Sequence, residues 1–343
     1  MKSFDEIFVD KTKYGVKVQT TEYSEVGEHI IIDQGQSQIA GYTDRQEGLF
    51  EEVPVVIFGD HTRVIKYVDE PFFLGADGVK VLRSKDDNAN YKYLYYALKN
   101  ARIPDTGYNR HFKWLKEVQI NYPDSDKQAE IVDILDNVSS VIKKREDELC
   151  VLDDLIKARF VEMFGDPVSN SYGLPEATLP ELGEFGRGIS KHRPRNDPKL
   201  LGGGYPLIQT GDVAKAGLYI TSYNSTYSEL GLRQSKMWKK GTLCITIAAN
   251  IAKTAILTFD ACFPDSVVGF TANEKTNNIF IHYWFLFFQT ILESQAPESA
   301  QKNINLKILS ELRVIVPKKE KQDEFVDFIH QVDKSKVVVA SVK

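Results

Sequence analysis

Apolar residues recur at steps of four and three along one stretch of this chain, from Ser125 to Pro167. Counting from Ile131, the positions are Ile131, Leu135, Val138, Ile142, Arg145, Leu149, Leu152, Ile156, Arg159 and Met163. Eight of the ten are aliphatic or Met, the a/d pattern of a coiled-coil seam. The two arginines at seam positions are expected to pair with carboxylates of a partner helix and so fix its register. Ser125, with Gln128 three residues on, has the spacing of a capping box, and Gly165 and Pro167 form a stop signal. The pattern predicts one helix of about 40 residues, roughly 60 Å long at ~1.5 Å per residue. Its seam requires a partner.

The flanks read differently. Residues 1–123 hold short β-like runs at 29–33, 54–59, 63–68, 71–75 and 78–82, punctuated by Gly, Asp and Pro. Tyr91–Asn100 reads as a helix. Residues 167–317 repeat the style, with strand-like runs at 206–210, 218–222, 242–248, 254–259 and 267–271 and a helix over Ile281–Ser294. The repetition extends to sequence. At an offset of 194, Asn109–Leu135 lies over Asn303–Ile329 without a gap. Identical pairs include Asn109/Asn303, Lys113/Lys307, Glu117/Glu311, Pro123/Pro317, Gln128/Gln322, Glu130/Glu324 and Asp133/Asp327. A second helix therefore begins near Lys319, with Phe325, Ile329, Val332, Lys336 and Val339 as its seam. The chain reads as domain (1–123), spacer helix (124–166), domain (167–317) and a shortened spacer helix (318–343). Each domain is expected to be α+β with a twisted, mostly antiparallel sheet, and the two helices to pack antiparallel as a coiled coil.

Charge adds one correction to a first impression. The net charge is −5, yet residues 124–166 alone carry 12 acidic and 6 basic side chains, net −6. The domains are thus near neutral, and the loop Arg187–Lys199 carries net +4. A local basic loop suits nucleic acid even on an acidic chain. Three cysteines without metal spacing fit a reducing cytoplasm, and no apolar run reaches the length of a membrane span. The catalytic signatures sought do not occur: no Walker A loop, no H-E-x-x-H, no G-x-S-x-G, no Asn-Pro-Pro-Tyr and no Gly-rich loop for S-adenosylmethionine.

Four segments carry a resemblance: IAGYTD (39–44), VIFGDHTRVIKYVDEPFFLGADGVKVL (56–82), LIKARFVEMFGDP (155–167) and LCITIAANIAKTAILTFDACFPDSVVGF (243–270). With the repeat, they make the chain resemble the specificity (S) subunits of type I restriction–modification systems over nearly its whole length. The resemblance implies two target-recognition domains held apart by two antiparallel helices, each domain reading half of a split DNA site. It implies a non-catalytic part in phage defence and DNA methylation. Double-stranded DNA, two methyltransferase (M) subunits and restriction (R) subunits are the partners, and S-adenosylmethionine, ATP and Mg belong to those subunits. A rod of ~60 Å spans at most about 17 base pairs at ~3.4 Å each. In this family the second helix runs on toward another copy of KARFVEMFGDP; here it stops at Lys343, so completion of the half-coil by another subunit is expected.

Base edges are read mainly by Arg, Lys, Asn and Gln, and phosphates by the same cations. Candidate DNA contacts in the first domain are therefore Gln36, Arg45, His61, Arg63, Asn109, Arg110 and His111. In the second they are Lys191, Arg193, Arg195, Asn250, Lys253, Gln301, Lys302 and Asn303. The Asn109–His111 and Gln301–Asn303 loops both lie where the repeated segment begins. Asp60 and Thr62 are expected to hold their turn, and the tyrosines of Tyr91–Tyr96 to serve as helix core. A coiled-coil scaffold whose globular domains bind protein is the alternative reading; a footprint on DNA separates the two.

Overall fold

In the computed structural model, residues 1–343 are described apart from 76, 108, 249–250, 295–303 and 341–343. The chain divides into two compact units, Met1–Lys144 and Arg145–Lys343.

In the first unit a four-stranded sheet is centred on Val55–Gly59 and Val79–Ser84, with Phe8–Asp10 and Ile65–Val68 at its edges. All five residues of Val55–Gly59 are buried, because both faces of the sheet are covered. Period-two alternation sends the side chains two ways. Val56, Phe58 and Leu82 pack with Tyr93, Leu94 and Leu98 of the helix Tyr91–Lys99. Val55, Ile57 and Val81 pack with Ile30, Ile32, Phe72 and Leu74 of a second, three-stranded sheet. That sheet pairs His29–Ile32 antiparallel with Gly41–Thr43 and parallel with Phe72–Leu74.

The second unit repeats this plan. Leu243–Thr246 lies between Thr254–Leu257 and Val267–Ala272 in a five-stranded sheet. Leu243, Ile245, Val268 and Phe270 face the helix Asn278–Ser294, which begins three residues before the expected Ile281. Cys244, Ala255, Leu257 and Val267 face Trp238 and Phe263 on the other side.

The spacer helix runs unbroken over Ser125–Phe164, 40 residues. Its cap is not the expected Ser125: the Lys127 amide donates to the Asp124 carboxylate at 2.9 Å, so the chain is capped one residue earlier. Gln128 turns back instead, donating to the Pro123 carbonyl at 2.8 Å. Gln322 makes the same bond to Pro317 at 2.9 Å, which is the structural content of the repeated Pro and Gln.

The second helix, Lys319–Ala340, packs against the last turns of the first. Arg159 meets Glu324 at 3.3 Å and Asp153 meets Lys336 at 2.5 Å, so the two run antiparallel. Two seam expectations are corrected. Arg145 pairs with Glu148 on its own helix at 2.7 Å rather than with a partner. Near the end, the buried positions are Ile156, Phe160 and Phe164 rather than Arg159 and Met163. A step of four replaces four-then-three because these turns enter the core of a globular unit, where a wider apolar face is buried than in a two-stranded seam. Phe160 has four ring partners, Phe164, Phe280, Phe287 and Phe325, with centroids 5.0–5.4 Å away. Of the remaining seam, Leu149, Leu152, Ile131 and Leu135 are partly covered, while Val138 and Ile142 stay exposed.

Candidate nucleic-acid interface

In the first unit three loops are tied together at one end of the central hairpin. The hairpin Val55–Gly59/Ile65–Val68 closes through Arg63, whose amide donates to the Gly59 carbonyl at 2.7 Å and whose φ is 62°. A non-glycine in this left-handed region implies that its surroundings hold it there. Asp60, buried, is the anchor: its carbonyl accepts from the His111 amide at 2.7 Å and its carboxylate from the Phe112 amide at 2.8 Å. The Arg63 guanidinium reaches Asp105 at 2.7 Å.

The loop after His29–Ile32 joins from the other side. The Gln34 side-chain oxygen accepts from the His61 amide at 3.1 Å, and its nitrogen donates to the Asp77 carbonyl at 2.9 Å. The Thr62 hydroxyl donates to the Gln34 carbonyl at 2.6 Å. Lys66, almost fully buried, donates to the Ser37 carbonyl at 2.6 Å and lies 3.5 Å from Asp33. Burial pushes its ammonium below the ordinary lysine range, and Asp33 opposes that. Lys17 pairs with Asp77 on the same rim.

The expected residues therefore separate. Gln36, Asn109 and Arg110 are exposed on this cluster, and His61 and Arg63 sit half-buried in it. His111 does not reach outward: it is 1 % exposed and its Nδ1 lies 3.1 Å from the Asp60 carbonyl, so its place is structural. Arg45 is exposed at the end of Gly41–Thr43, where it meets Glu22 at 3.8 Å, and no bond ties it to the three loops among the described residues.

The second unit carries the counterpart. Its hairpin Leu243–Thr246/Thr254–Leu257 closes through Ala252, at φ 56° and, like Arg63, two residues before the return strand. The Ile247 carbonyl accepts from the Ile304 amide at 3.0 Å, a bond like that of Asp60 to His111 but from the residue that the offset of 194 matches to Arg110. The Ile247 amide donates to Ser266 at 3.0 Å, and the neighbouring Asp265 pairs with both Arg193, at 3.4 Å, and Arg195. So the basic loop, the hairpin turn and the segment ahead of the repeat converge here too. Lys191, Arg193 and Arg195 are exposed, while the backbone beneath them is fixed by Gln234, whose side-chain oxygen accepts from the Lys191 amide at 2.7 Å and the His192 amide at 3.0 Å. Lys253 is half-buried, 3.2 Å from Gln289. Asn250, Gln301, Lys302 and Asn303 lie outside the described residues.

The anchoring residues Lys66, Asp265 and Gln234 escaped the sequence reading. A buried lysine in a strand and an acid beside a basic loop carry no motif. The one available signal was the odd polar residue inside the apolar run 63–68. Among the described residues, no group of three His, Cys, Asp or Glu could hold a metal, and no helix is long and apolar enough to cross a membrane.

Comparison with known proteins follows the same two-part division. Residues 10–150 and 176–338 each match the type I restriction modification DNA specificity domain. The chain is 30 % identical over 151 residues to the EcoR124I/EcoR124II specificity subunit of Escherichia coli, covering 40 % of this chain but only 37 % of that protein. It is 20 % identical over 319 residues to a putative type I restriction enzyme MjaX specificity subunit of Methanocaldococcus jannaschii, covering 89 % of this chain and 70 % of that one. In fold it is similar to a type I restriction–modification S subunit from M. genitalium, with TM-score 0.55 at 16 % identity over 99 % of this chain and 90 % of that one. A chain from a structure of type I R-M complex assembly and conformational transition gives TM-score 0.53 at 14 % identity, over 99 % and 92 %.

Proposed function

We propose a function from one premise: this chain belongs to the type I restriction–modification DNA specificity family. Each unit reads one half of a split DNA site, and the chain recruits methyltransferase and restriction subunits without performing chemistry itself. It acts in the cytoplasm, where its DNA lies.

One observation carries the reading. Both units bring three loops to the same end of a similar hairpin, and in each the carbonyl at the start of the turn accepts from the segment that opens the repeat, yet they present different side chains there. The first unit offers Gln36, Arg63, Asn109 and Arg110, and the second Lys191, Arg193 and Arg195. A shared frame with unlike donors is what reading two unlike half-sites requires, because phosphate contacts position a reader and base-edge contacts specify it. The Gln34 and Lys66 bonds stiffen the first reader before DNA arrives, which lowers the ordering cost of binding.

Footprinting of the chain together with its methyltransferase tests this. The expected result is two short protected blocks at one fixed spacing, with binding that weakens steeply as salt rises. Gln36→Ala with Arg110→Ala should erase protection in one block and leave the other. Absence of salt-sensitive DNA binding, alone and with the methyltransferase, would favour a protein-binding scaffold.

A further inference from the structure

The core helix of each unit is capped alike. The Asn90 side-chain oxygen accepts from the Tyr93 amide at 3.0 Å, and that of Asn277 from the Phe280 amide at 2.7 Å. Counted from these caps, Lys99 in the last turn of the first helix is the counterpart of Leu286 in the second. Each of the two lines a cleft between its helix and its hairpin. The return strand of the hairpin contributes Val64 and Ile65 in the first unit and their counterparts Lys253 and Thr254 in the second. One feature of the fold thus occurs twice with different chemistry.

The first cleft has a volume of about 540 Å³ and lies wholly within the first unit. Its charged lining is Arg63, Lys66 and Lys99, with Gln36, Gln38 and Thr62 as neutral polar groups and no carboxylate. A cleft lined by one sign of charge concentrates its field. Two of the cations are already committed. Lys66 is buried, 3.5 Å from Asp33, and Arg63 is held by Asp105 at 2.7 Å. Lys99 is not. It is exposed, its ammonium donates to the Tyr95 hydroxyl at 3.2 Å, and it makes no ion pair among the described residues. It also opens a basic stretch. Residues 99–116 carry Lys99, Arg102, Arg110, Lys113 and Lys116 against Asp105, net +4, the same excess as the loop Arg187–Lys199. The counterpart stretch in the second unit, residues 286–310, carries two glutamates and two lysines, net zero.

We propose that this cleft seats a backbone phosphate of the half-site read by the first unit, with Lys99 as the residue that contacts it. Arg63, fixed by Asp105, is a positioning residue beside it, and Gln36 on the same cleft is left to meet a base edge. The proposal rests on the DNA-reading function and gives Lys99 a share of affinity and register, not of sequence preference. The two units therefore grip the duplex through different elements: the first through the end of its core helix, the second through the loop Arg187–Lys199, because a leucine stands where Lys99 does.

The test titrates the chain, together with its methyltransferase, against a duplex carrying the footprinted site and against a random-sequence duplex of equal length. Lys99→Gln should lower the slope of log affinity against log salt by about 1 and weaken both duplexes by the same factor, about three- to tenfold. Lys99→Arg should restore the slope. Lys92→Gln, on the same helix but paired with Asp136 at 2.6 Å, should leave it unchanged. Both lysines are exposed, and unchanged circular dichroism and melting show that the variants fold. An uncharged methylphosphonate walked along the first unit's block should weaken the unaltered complex at one position, and Lys99→Gln should erase that effect. A slope unmoved by Lys99→Gln, an equal change in Lys92→Gln, or a base preference altered by Lys99→Gln would overturn the proposal while the DNA-reading function stands. Absence of salt-sensitive binding by the unaltered complex would overturn both.

Discussion

Replacing Phe160 by Ala should cripple the second unit and spare the first. The side chain is fully buried and stands among four other phenylalanine rings at 5.0–5.4 Å. A buried Phe→Ala change costs about 3–5 kcal/mol, from lost transfer free energy and the cavity left behind. Edge and stacked ring pairs add roughly 0.5–1.5 kcal/mol beyond area, though not additively over four partners sharing one ring. About 4 kcal/mol is therefore a conservative expectation, against a total of roughly 5–15 kcal/mol for a unit of this size. At about 2–4 °C per kcal/mol, the melting transition of the second unit should fall by about 8–16 °C. Phe160→Leu keeps most of the volume and should cost well under half as much. Calorimetry gives the transitions and amide exchange assigns them. Exchange of Phe325–Val332 should quicken by orders of magnitude, while Val55–Gly59 keeps its protection. Unchanged exchange in Phe325–Val332 would show that the helix pair is not held by this aromatic cluster. Equal loss in Val55–Gly59 would show that the two cores do not melt as separate units.

Other expectations follow from single groups. His282 is buried, with its Nδ1 2.9 Å from the Thr254 hydroxyl, and burial lowers its pKa from 6.5 to about 4. Between those values the unfolded chain binds a proton that the folded one refuses, so stability falls as pH drops from 6.5 toward 4, by on the order of 3 kcal/mol. Chemical denaturation of the chain and of His282→Gln across this range should show the slope shrinking in the variant. Gln322→Leu leaves the Lys275 and Pro317 carbonyls and the Thr276 hydroxyl without their partner, at a cost of about 1–3 kcal/mol, whereas Gln128→Leu loses one described bond and should cost less. Arg193→Gln with Arg195→Gln should reduce the slope of log affinity against log salt by about 2, and Asp265→Asn, which removes the carboxylate paired with both arginines, should tighten non-specific DNA binding.

The sequence disclosed the parts whose physics is periodic. The 40-residue helix, the second helix from Lys319 and the repeat were written in spacing, and the strand runs in apolar alternation. What stayed hidden depended on tertiary surroundings. Whether Arg159 or Phe160 faces inward is decided by the core that the helix enters, and a step of four or three cannot report that. Asp124 rather than Ser125 caps the helix because either residue type suffices and only the backbone path chooses. His111 looked like a reader because histidine carries donors; its burial under Asp60 follows from a hairpin 51 residues away in the chain. Among the DNA candidates, local loop position was legible, and the anchors Lys66, Asp265 and Gln234 were not.

The internal repeat also separates what the scaffold requires from what a reader is free to vary. Pro123/Pro317 and Gln128/Gln322 are identical, and each glutamine closes the same bond to the same proline carbonyl at the entry to a helix. That bond ties the first turn of each helix to the proline segment that leads into it. The hairpin turns obey the opposite rule. Gly59-Asp60-His61-Thr62-Arg63 and Ile247–Lys253 share a left-handed residue two before the return strand and a carbonyl that receives the loop ahead of the repeat. Between those two fixed points the side chains differ in charge, size and donor number. Backbone bonds carry the frame in both units, and in the first unit the Asp60 carboxylate and the Thr62 hydroxyl add to it. On the proposed function, a new half-site specificity then needs new side chains at exposed loop positions such as Gln36, Asn109 and Arg110, on an unchanged backbone frame. Exchanging Gln36, Asn109 and Arg110 for other polar residues, with Asp60 and Thr62 kept, should alter one half-site while the melting transition of the first unit moves little.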